Sequence, residues 1–167
     1  MLEGMYQKRV SGYSGMGYKA LSESNSPEKI SAIFDSRSFL PVFERDIQSA
    51  KHEIAICSPF LRKARTMQMI RMLSSAQING VRITIITRSV DSYKLTDQPS
   101  MIALMQTLSD SGIRIIQKPN IHQKFAIIDQ NIIWYCSINL MSYGTAEESI
   151  MRFENMEIAG ELLTAVE

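Results

Sequence analysis

Short apolar runs alternate with amphipathic segments along the chain, and the two patterns predict strands and helices in turn. Runs of β-branched and aromatic residues are typical of strands, and here they are 53–58, 81–87, 113–117, 125–129, 132–137 and 149–153. Periodic apolar positions predict helices from a cap at Asp35 or Ser36 onward, and over 62–78, 99–108 and 156–166. Strands that alternate with helices predict an α/β fold with a mixed β-sheet flanked by helices.

The composition narrows the class of protein. The chain has 167 residues, 45% of them hydrophobic, and a formal net charge of +1. This is enough for one domain with a core, and any nucleic-acid binding must rest on a local basic patch. Residues 1–26 are rich in Gly, Ser and Tyr, which predicts a flexible arm or linker before a domain over 27–167. Two unclustered cysteines and no recognisable signal peptide lead us to expect a cytoplasmic protein, and no apolar run approaches the roughly 20 residues that span a bilayer.

The segment 121–139, IHQKFAIIDQNIIWYCSIN, carries the chemistry. A two-residue loop between its two predicted strands would pair Lys124 with Ser137 and His122 with Asn139. Since side chains alternate along a strand, the four would then share one face. Cationic and donor groups can hold a phosphate, and a neutral imidazole can attack it through a covalent intermediate.

At this spacing the chain resembles the phospholipase D superfamily, whose motif is His-x-Lys, four residues, Asp, six residues, then Gly-Ser-x-Asn. The matching positions are His122, Lys124, Asp129, Cys136, Ser137 and Asn139. Cys136 replaces the usual Gly, which an ordinary strand position tolerates; its thiol is an alternative nucleophile, although a strand cysteine is more often a small buried residue. The family often adds a glutamate at the start of a later strand, and Glu148 matches best because the apolar run 150–153 follows it. Glu147 is the alternative, and Ala146 stands where the family usually has Asn.

The resemblance implies a phospholipase D-like α/β sandwich and a role for each motif residue. His122 would be the nucleophile and pass through a phosphohistidine, while Glu148 would hold its imidazole in the reactive tautomer. Asp129 would be structural, bonding the backbone amides that follow it in the turn. The phosphate would be bound by Lys124, Ser137 and Asn139. The family's hydrolysis needs no metal, and no cluster with metal-ligand spacing occurs in the sequence, so we expect no metal or cofactor.

The histidine count predicts a shared site. The mechanism requires one imidazole to attack and another to protonate the leaving oxygen, but the chain has only His52 and His122. We expect His52 to be an exposed residue at a helix-to-strand junction. The second imidazole should therefore come from another copy of the chain, in a homodimer with the site on its two-fold axis. The resemblance to single-motif members of the superfamily implies the same arrangement.

Three functions are compatible with the sequence. The leading interpretation is a metal-independent nuclease that acts on DNA or RNA with salt-dependent phosphate contacts. Candidate substrate contacts outside the motif are Arg62, Lys63, Arg65 and Arg88. A second interpretation is a nucleic-acid-binding or dimerisation module, because the chain also resembles phospholipase D-like modules of bacterial helicase-type proteins and its ends look cut from a longer polypeptide. A lipid phosphodiesterase ranks third, since we find no amphipathic membrane-facing stretch.

Overall fold

The computed structural model describes residues 32–142 and 148–166. In this part of the chain, seven strands and four α-helices follow one another along the sequence. They are β1 (Ala32–Phe34), α1 (Leu40–Ser49), β2 (Glu53–Cys57), α2 (Lys63–Ile78), β3 (Arg82–Arg88), α3 (Gln98–Asp110), β4 (Arg114–Lys118), β5 (Phe125–Ile128), β6 (Ile132–Cys136), β7 (Ile150–Glu154) and α4 (Met156–Thr164). The predicted arm over 1–26 lies outside the described residues.

All seven strands form one mixed sheet in the order β1-β7-β6-β5-β2-β3-β4. The strands β2, β3 and β4 pair in parallel, and the other pairings are antiparallel. Every residue of β5 is buried. An uninterrupted apolar run of this kind is typical of a strand that is covered on both faces. The predicted α/β fold with a mixed sheet is confirmed.

Helices cover both faces of the sheet. One face packs against α1, α2 and α3, whose buried residues include Phe43, Leu73 and Leu108. The other face packs against Ala159 of α4 and against Val166, which follows the helix. Burial of these apolar side chains on two sides of a central sheet is the main stabilising contribution to the fold.

The first helix and the first strand differ from the prediction. Helix α1 begins at Leu40 rather than near Ser36, because the Asp35 carboxylate accepts hydrogen bonds from the backbone N–H groups of Arg37 and Ser38 and closes a separate turn. Strand β1 was not predicted. It has three residues at the sheet edge and is held by pairing with β7, a long-range contact that leaves no periodic pattern in the sequence.

The hairpin between β5 and β6 has a three-residue loop, and the predicted two-residue loop was wrong. Ile128 pairs with Ile132, so the loop contains Asp129, Gln130 and Asn131. Asp129 and Gln130 adopt left-handed backbone conformations with φ values of 50° and 53°. Such conformations are uncommon for residues other than glycine, so the chain must be stabilised in this turn by other contacts.

The Asp129 side chain supplies those contacts, with partners other than the predicted ones. Its carboxylate accepts hydrogen bonds from the backbone N–H groups of Lys51, His52 and Glu53 at 2.9, 2.8 and 3.0 Å, not from the amides that follow it. Partial burial alone would raise the pKa of Asp129, but these three donors lower it below the usual 3.8. The carboxylate thereby fixes the hairpin to the connection between α1 and β2.

We expect Asp129→Asn to lower the free energy of unfolding by about 1–2 kcal/mol near neutral pH, because a charged acceptor of three hydrogen bonds is lost. The folded-state pKa lies below 3.8, so the contribution is present above that value and disappears as the pH falls through the folded-state pKa. Urea unfolding of both proteins at neutral and acid pH measures this difference. An equal gap at the two pH values would contradict it.

Candidate active site

The motif residues lie at one end of the sheet, where β5 begins and β6 ends. With the three-residue loop, Lys124 stands opposite Cys136, whose backbone N–H donates to the Lys124 carbonyl oxygen at 2.9 Å. The predicted pairs, Lys124 with Ser137 and His122 with Asn139, were therefore wrong by one residue. Strict alternation no longer puts the four on one face. All four lie beyond the ends of β5 and β6, at the same edge of the sheet.

His122 is exposed and held by Arg88, the last residue of β3. The Arg88 Nη2 atom lies 3.2 Å from His122 Nδ1, and Arg88 Nε donates to the Ile121 carbonyl oxygen at 3.4 Å. A guanidinium can only donate, so Nδ1 is the acceptor. A neutral imidazole in this position therefore carries its proton on Nε2.

Lys124 places a positive charge between His122 and two cysteines. Its Nζ atom donates to the His122 carbonyl oxygen at 3.2 Å. Burial raises the pKa of the Cys57 and Cys136 thiols to about 12 in spite of the opposing charge of Lys124. Both thiols are neutral at physiological pH, so Cys136 has none of the thiolate character that a cysteine nucleophile needs.

Cys136 occupies an ordinary strand position. It is 6% exposed and packs in the core, its Sγ donates to the Trp134 carbonyl oxygen at 3.6 Å, and it is not among the described residues with positive φ. Nothing in the backbone at this position requires glycine, so the strand accommodates cysteine where the family motif has glycine.

We expect Cys136→Gly to cost about 1–2 kcal/mol of stability, since the substitution removes a buried side chain and adds backbone freedom to the unfolded chain. The catalytic activity that the motif predicts, measured per folded molecule, should stay close to the wild-type value. Denaturant unfolding and a parallel activity assay measure both quantities. A large gain or loss of activity at unchanged stability would show that the residue at this position acts directly on the site.

Ser137 and Glu148 are joined by a hydrogen bond from the serine hydroxyl to the carboxylate. The backbone N–H of Ser149 also donates to Ser137 Oγ at 3.0 Å. In the described chain, Glu148 thus contacts Ser137 rather than His122, contrary to the predicted pairing. Glu147 and Ala146 lie outside the described residues.

Asn139 lies three residues beyond the end of β6. Its Oδ1 atom is buried without a hydrogen-bond partner in the part of the chain that the structure describes, which is uncommon for a buried polar group. The next residues are fixed to the sheet and helix: the Met141 N–H donates to Ser58 Oγ at 3.1 Å, and the Arg62 N–H donates to the Met141 carbonyl oxygen at 2.9 Å.

The four basic candidates outside the motif differ in their surroundings. Arg88 contacts His122 directly. Arg62 and Lys63 are exposed at the start of α2, and Arg65 Nη1 donates to Gln68 Oε1 at 2.8 Å. Of these four candidates, Arg88 is therefore the one placed against the imidazole.

Sequence reasoning missed two aromatic residues at this edge. Phe60 is 40% exposed, and the Arg88 guanidinium carbon lies 4.6 Å from the centre of its ring. Tyr93 packs edge-to-face on Phe60, with ring centres 6.4 Å apart at 88°. An aromatic residue immediately after the strand-ending Ser58-Pro59 was the available signal.

Membrane-spanning helices and metal-binding clusters are both absent from residues 32–142 and 148–166. None of the helices there is both long and apolar enough to cross a bilayer. Within the same residues, His, Cys, Asp and Glu side chains form no group of three or more that could hold a metal ion. The candidate side chains described above supply two cations, an imidazole, a hydroxyl, an amide and a carboxylate.

Comparison with known proteins identifies the family. The model of the family described as "Cardiolipin synthase, PLD-like domain" matches residues 43–167, whereas no curated protein sequence matches. Similar solved structures include Nuc from Salmonella typhimurium, a phospholipase D family member, at 20% identity and a TM-score of 0.65 over 83% of this chain and 91% of that one. NucT from Helicobacter pylori has 17% identity and a TM-score of 0.62 over 82% and 92%.

A third similar structure is TrmBL2, an archaeal chromatin protein described with a novel mode of DNA binding, at 11% identity and a TM-score of 0.57 over 99% of this chain and 59% of that one. At such identities the three structures show a shared fold. The family model covers most of the chain, and the chain therefore belongs to the phospholipase D superfamily.

Proposed function

We propose that the chain is a metal-independent phosphodiesterase that hydrolyses DNA or RNA through a covalent phosphohistidine. The observation that carries the proposal is the placement of His122, Lys124 and Ser137 at one edge of a phospholipase D-like sheet, with Arg88 on the imidazole. Preorganised donors and cations at such an edge stabilise the charge that develops on a phosphate during displacement. The family fold and its likeness to Nuc and NucT support this chemistry.

In the proposed reaction the phosphate oxygens bind Lys124 Nζ, Ser137 Oγ and the Asn139 amide. The His122 imidazole attacks phosphorus through Nε2, so its proton must first lie on Nδ1. Movement of Arg88 from Nδ1 onto the phosphate would allow this change of tautomer. Release of the Glu148 carboxylate from Ser137 would then give Nδ1–H an acceptor.

The leaving oxygen takes a proton from a second imidazole. That imidazole, now neutral, then accepts a proton from the water that attacks phosphorus and hydrolyses the phosphohistidine. His52 is unsuited to this role, because its backbone N–H bonds Asp129 at the opposite end of β5 from His122. The four residues of β5 alone span about 13 Å between these two ends. A second copy of the chain would supply the missing His122 in a homodimer with a shared site.

Light scattering of the full chain across a concentration series tests the shared site. We expect a dimer at the concentrations at which cleavage is measured, and activity that falls when dilution gives monomers. A monomer with full activity at every concentration would contradict the shared-site mechanism.

The substrate class is tested with single- and double-stranded DNA, RNA and phospholipid vesicles, each incubated with the full chain in excess EDTA. We expect cleavage of nucleic acid that is unaffected by EDTA, with binding that weakens as salt is raised. Cleavage that disappears in EDTA would contradict the metal-independent mechanism. Hydrolysis of lipid alone would identify a lipid phosphodiesterase instead.

A second candidate is a nucleic-acid-binding or dimerisation module of a larger helicase-type protein. The observation that favours it is the hydrogen bonding at the site. Arg88 donates to His122 Nδ1, and the Ser137 hydroxyl donates to the Glu148 carboxylate. The fold shared with TrmBL2 adds support, because that protein is described as binding DNA. Tight binding of DNA without cleavage under every condition would favour this candidate.

A further inference from the structure

We propose that Phe60 and Arg88 form a stacking platform for an unpaired nucleobase beside the phosphate site, which makes single-stranded nucleic acid the substrate class. The inference rests on the proposed function, since it names the substrate of the same site. It rests on two contacts of one side chain. The Arg88 guanidinium carbon lies 4.6 Å from the centre of the Phe60 ring, and Arg88 Nη2 lies 3.2 Å from His122 Nδ1. The ring and the imidazole are therefore separated by a single guanidinium group.

Phe60 is held in place although much of it faces solvent. Tyr93 packs edge-to-face on its ring, and the Tyr93 hydroxyl donates to the Pro59 carbonyl oxygen at 3.2 Å. The buried Thr87 hydroxyl also donates to the Pro59 carbonyl oxygen, at 3.3 Å. A ring that packs on an aromatic neighbour, and whose preceding residue is fixed by two hydrogen bonds, loses little freedom when a ligand packs on it, which favours binding.

The chemistry of the platform suits a nucleobase. Aromatic rings and guanidinium planes both stack on the π-face that every base presents. A phosphate at His122 would place the base of its own nucleotide within reach of Phe60. In the sequence, the exposed residues Arg62 and Lys63 follow Phe60 after the buried Leu61. Basic side chains therefore lie close to the ring along the chain, as they do in the positively charged, aromatic-lined grooves that bind single strands.

The platform discriminates between single and double strands. In a duplex each base is already paired and stacked, and it can reach Phe60 only if unpairing energy is supplied. A single strand has no such cost. We therefore expect the full chain to prefer single-stranded over double-stranded DNA, and the preference to depend on the Phe60 ring.

The test uses two single-stranded oligonucleotides, one with normal bases and one with an abasic position beside the cleaved phosphate. For the wild type, kcat/KM should be about 10- to 100-fold higher with the base present. Phe60→Ala and Phe60→Leu should lose most of this ratio, whereas Phe60→Trp should keep it. The matched control is Ile78→Ala, an exposed apolar residue at the far end of α2, which should leave the ratio at its wild-type value.

Two further readouts separate this inference from the proposed function. Binding of slowly hydrolysed phosphorothioate versions of both oligonucleotides reports the platform without cleavage, so base-dependent binding without hydrolysis would support the platform while the proposed function fails. Equal ratios in the wild type and Phe60→Ala would overturn the platform even if cleavage is robust. Loss of the dimer in Phe60→Ala would also overturn it, because the ring would then be a contact between copies.

Discussion

Replacing His122 by alanine is expected to lower kcat/KM for phosphodiester cleavage by at least about 10⁴-fold, the scale seen when a covalent nucleophile is removed. The loss should be this large because the shared site would lose both the attacking and the protonating imidazole at once. His122 is exposed and outside the strands, so the variant should fold as the wild type does.

The other histidine provides a matched control. His52 is also exposed. Its backbone N–H donates a hydrogen bond to the Asp129 carboxylate, and His52→Ala retains this bond. We expect this variant to cleave at close to the wild-type rate. Substantial cleavage by His122→Ala, or a comparable loss in His52→Ala, would contradict the assignment of the nucleophile.

The largest stability effect is expected at Asp46, where alanine should lower the free energy of unfolding by about 3–5 kcal/mol. The Asp46 carboxylate lies 2.7 Å from Arg152 Nε and accepts from Trp134 Nε1 at 2.8 Å. The Arg152 side chain is 5% exposed, so removal of the carboxylate leaves a buried cation without its nearest counter-ion. The same contacts join α1 to β6 and β7, across the main core.

Urea unfolding of Asp46→Ala measures this effect, and Glu44→Ala, an exposed acid on the same helix, is the control. The control should change stability by no more than about 0.5 kcal/mol. Combining Asp46→Leu with Arg152→Met should recover part of the loss, because a buried ion pair can be replaced by apolar side chains of similar volume. Full stability in Asp46→Ala alone would contradict the importance of the pair.

The fold could be predicted from local patterns where those patterns are strong. The buried run of β5 and the amphipathic helices are determined by residues close together in the sequence, and they were found within a few residues of their observed ends. The hairpin register was missed because Asp129 and Gln130 adopt positive φ without a glycine. That conformation depends on contacts with Lys51 and Glu53, far away in the sequence.

Some residues of the candidate site could likewise be predicted from local sequence, and others depend on long-range strand pairing. The spacing of the motif made His122 and Lys124 candidates, since it is a property of one continuous segment. Phe60 could not be placed beside them, because its position depends on β2 and β3 lying side by side and ending at the same edge of the sheet. Arg88 was a candidate, but its contact with the imidazole follows from the same pairing.

The most direct test of the central claim is a rapid-quench experiment in excess EDTA, with a short single-stranded substrate and mapping of the modified peptide by mass spectrometry. The quench must be alkaline because phosphohistidine is labile in acid. We predict a nucleotide joined through phosphorus to His122 in the wild type and no adduct in His122→Ala. A nucleotide on another residue such as Ser137, or cleavage that persists in His122→Ala, would contradict the proposed mechanism.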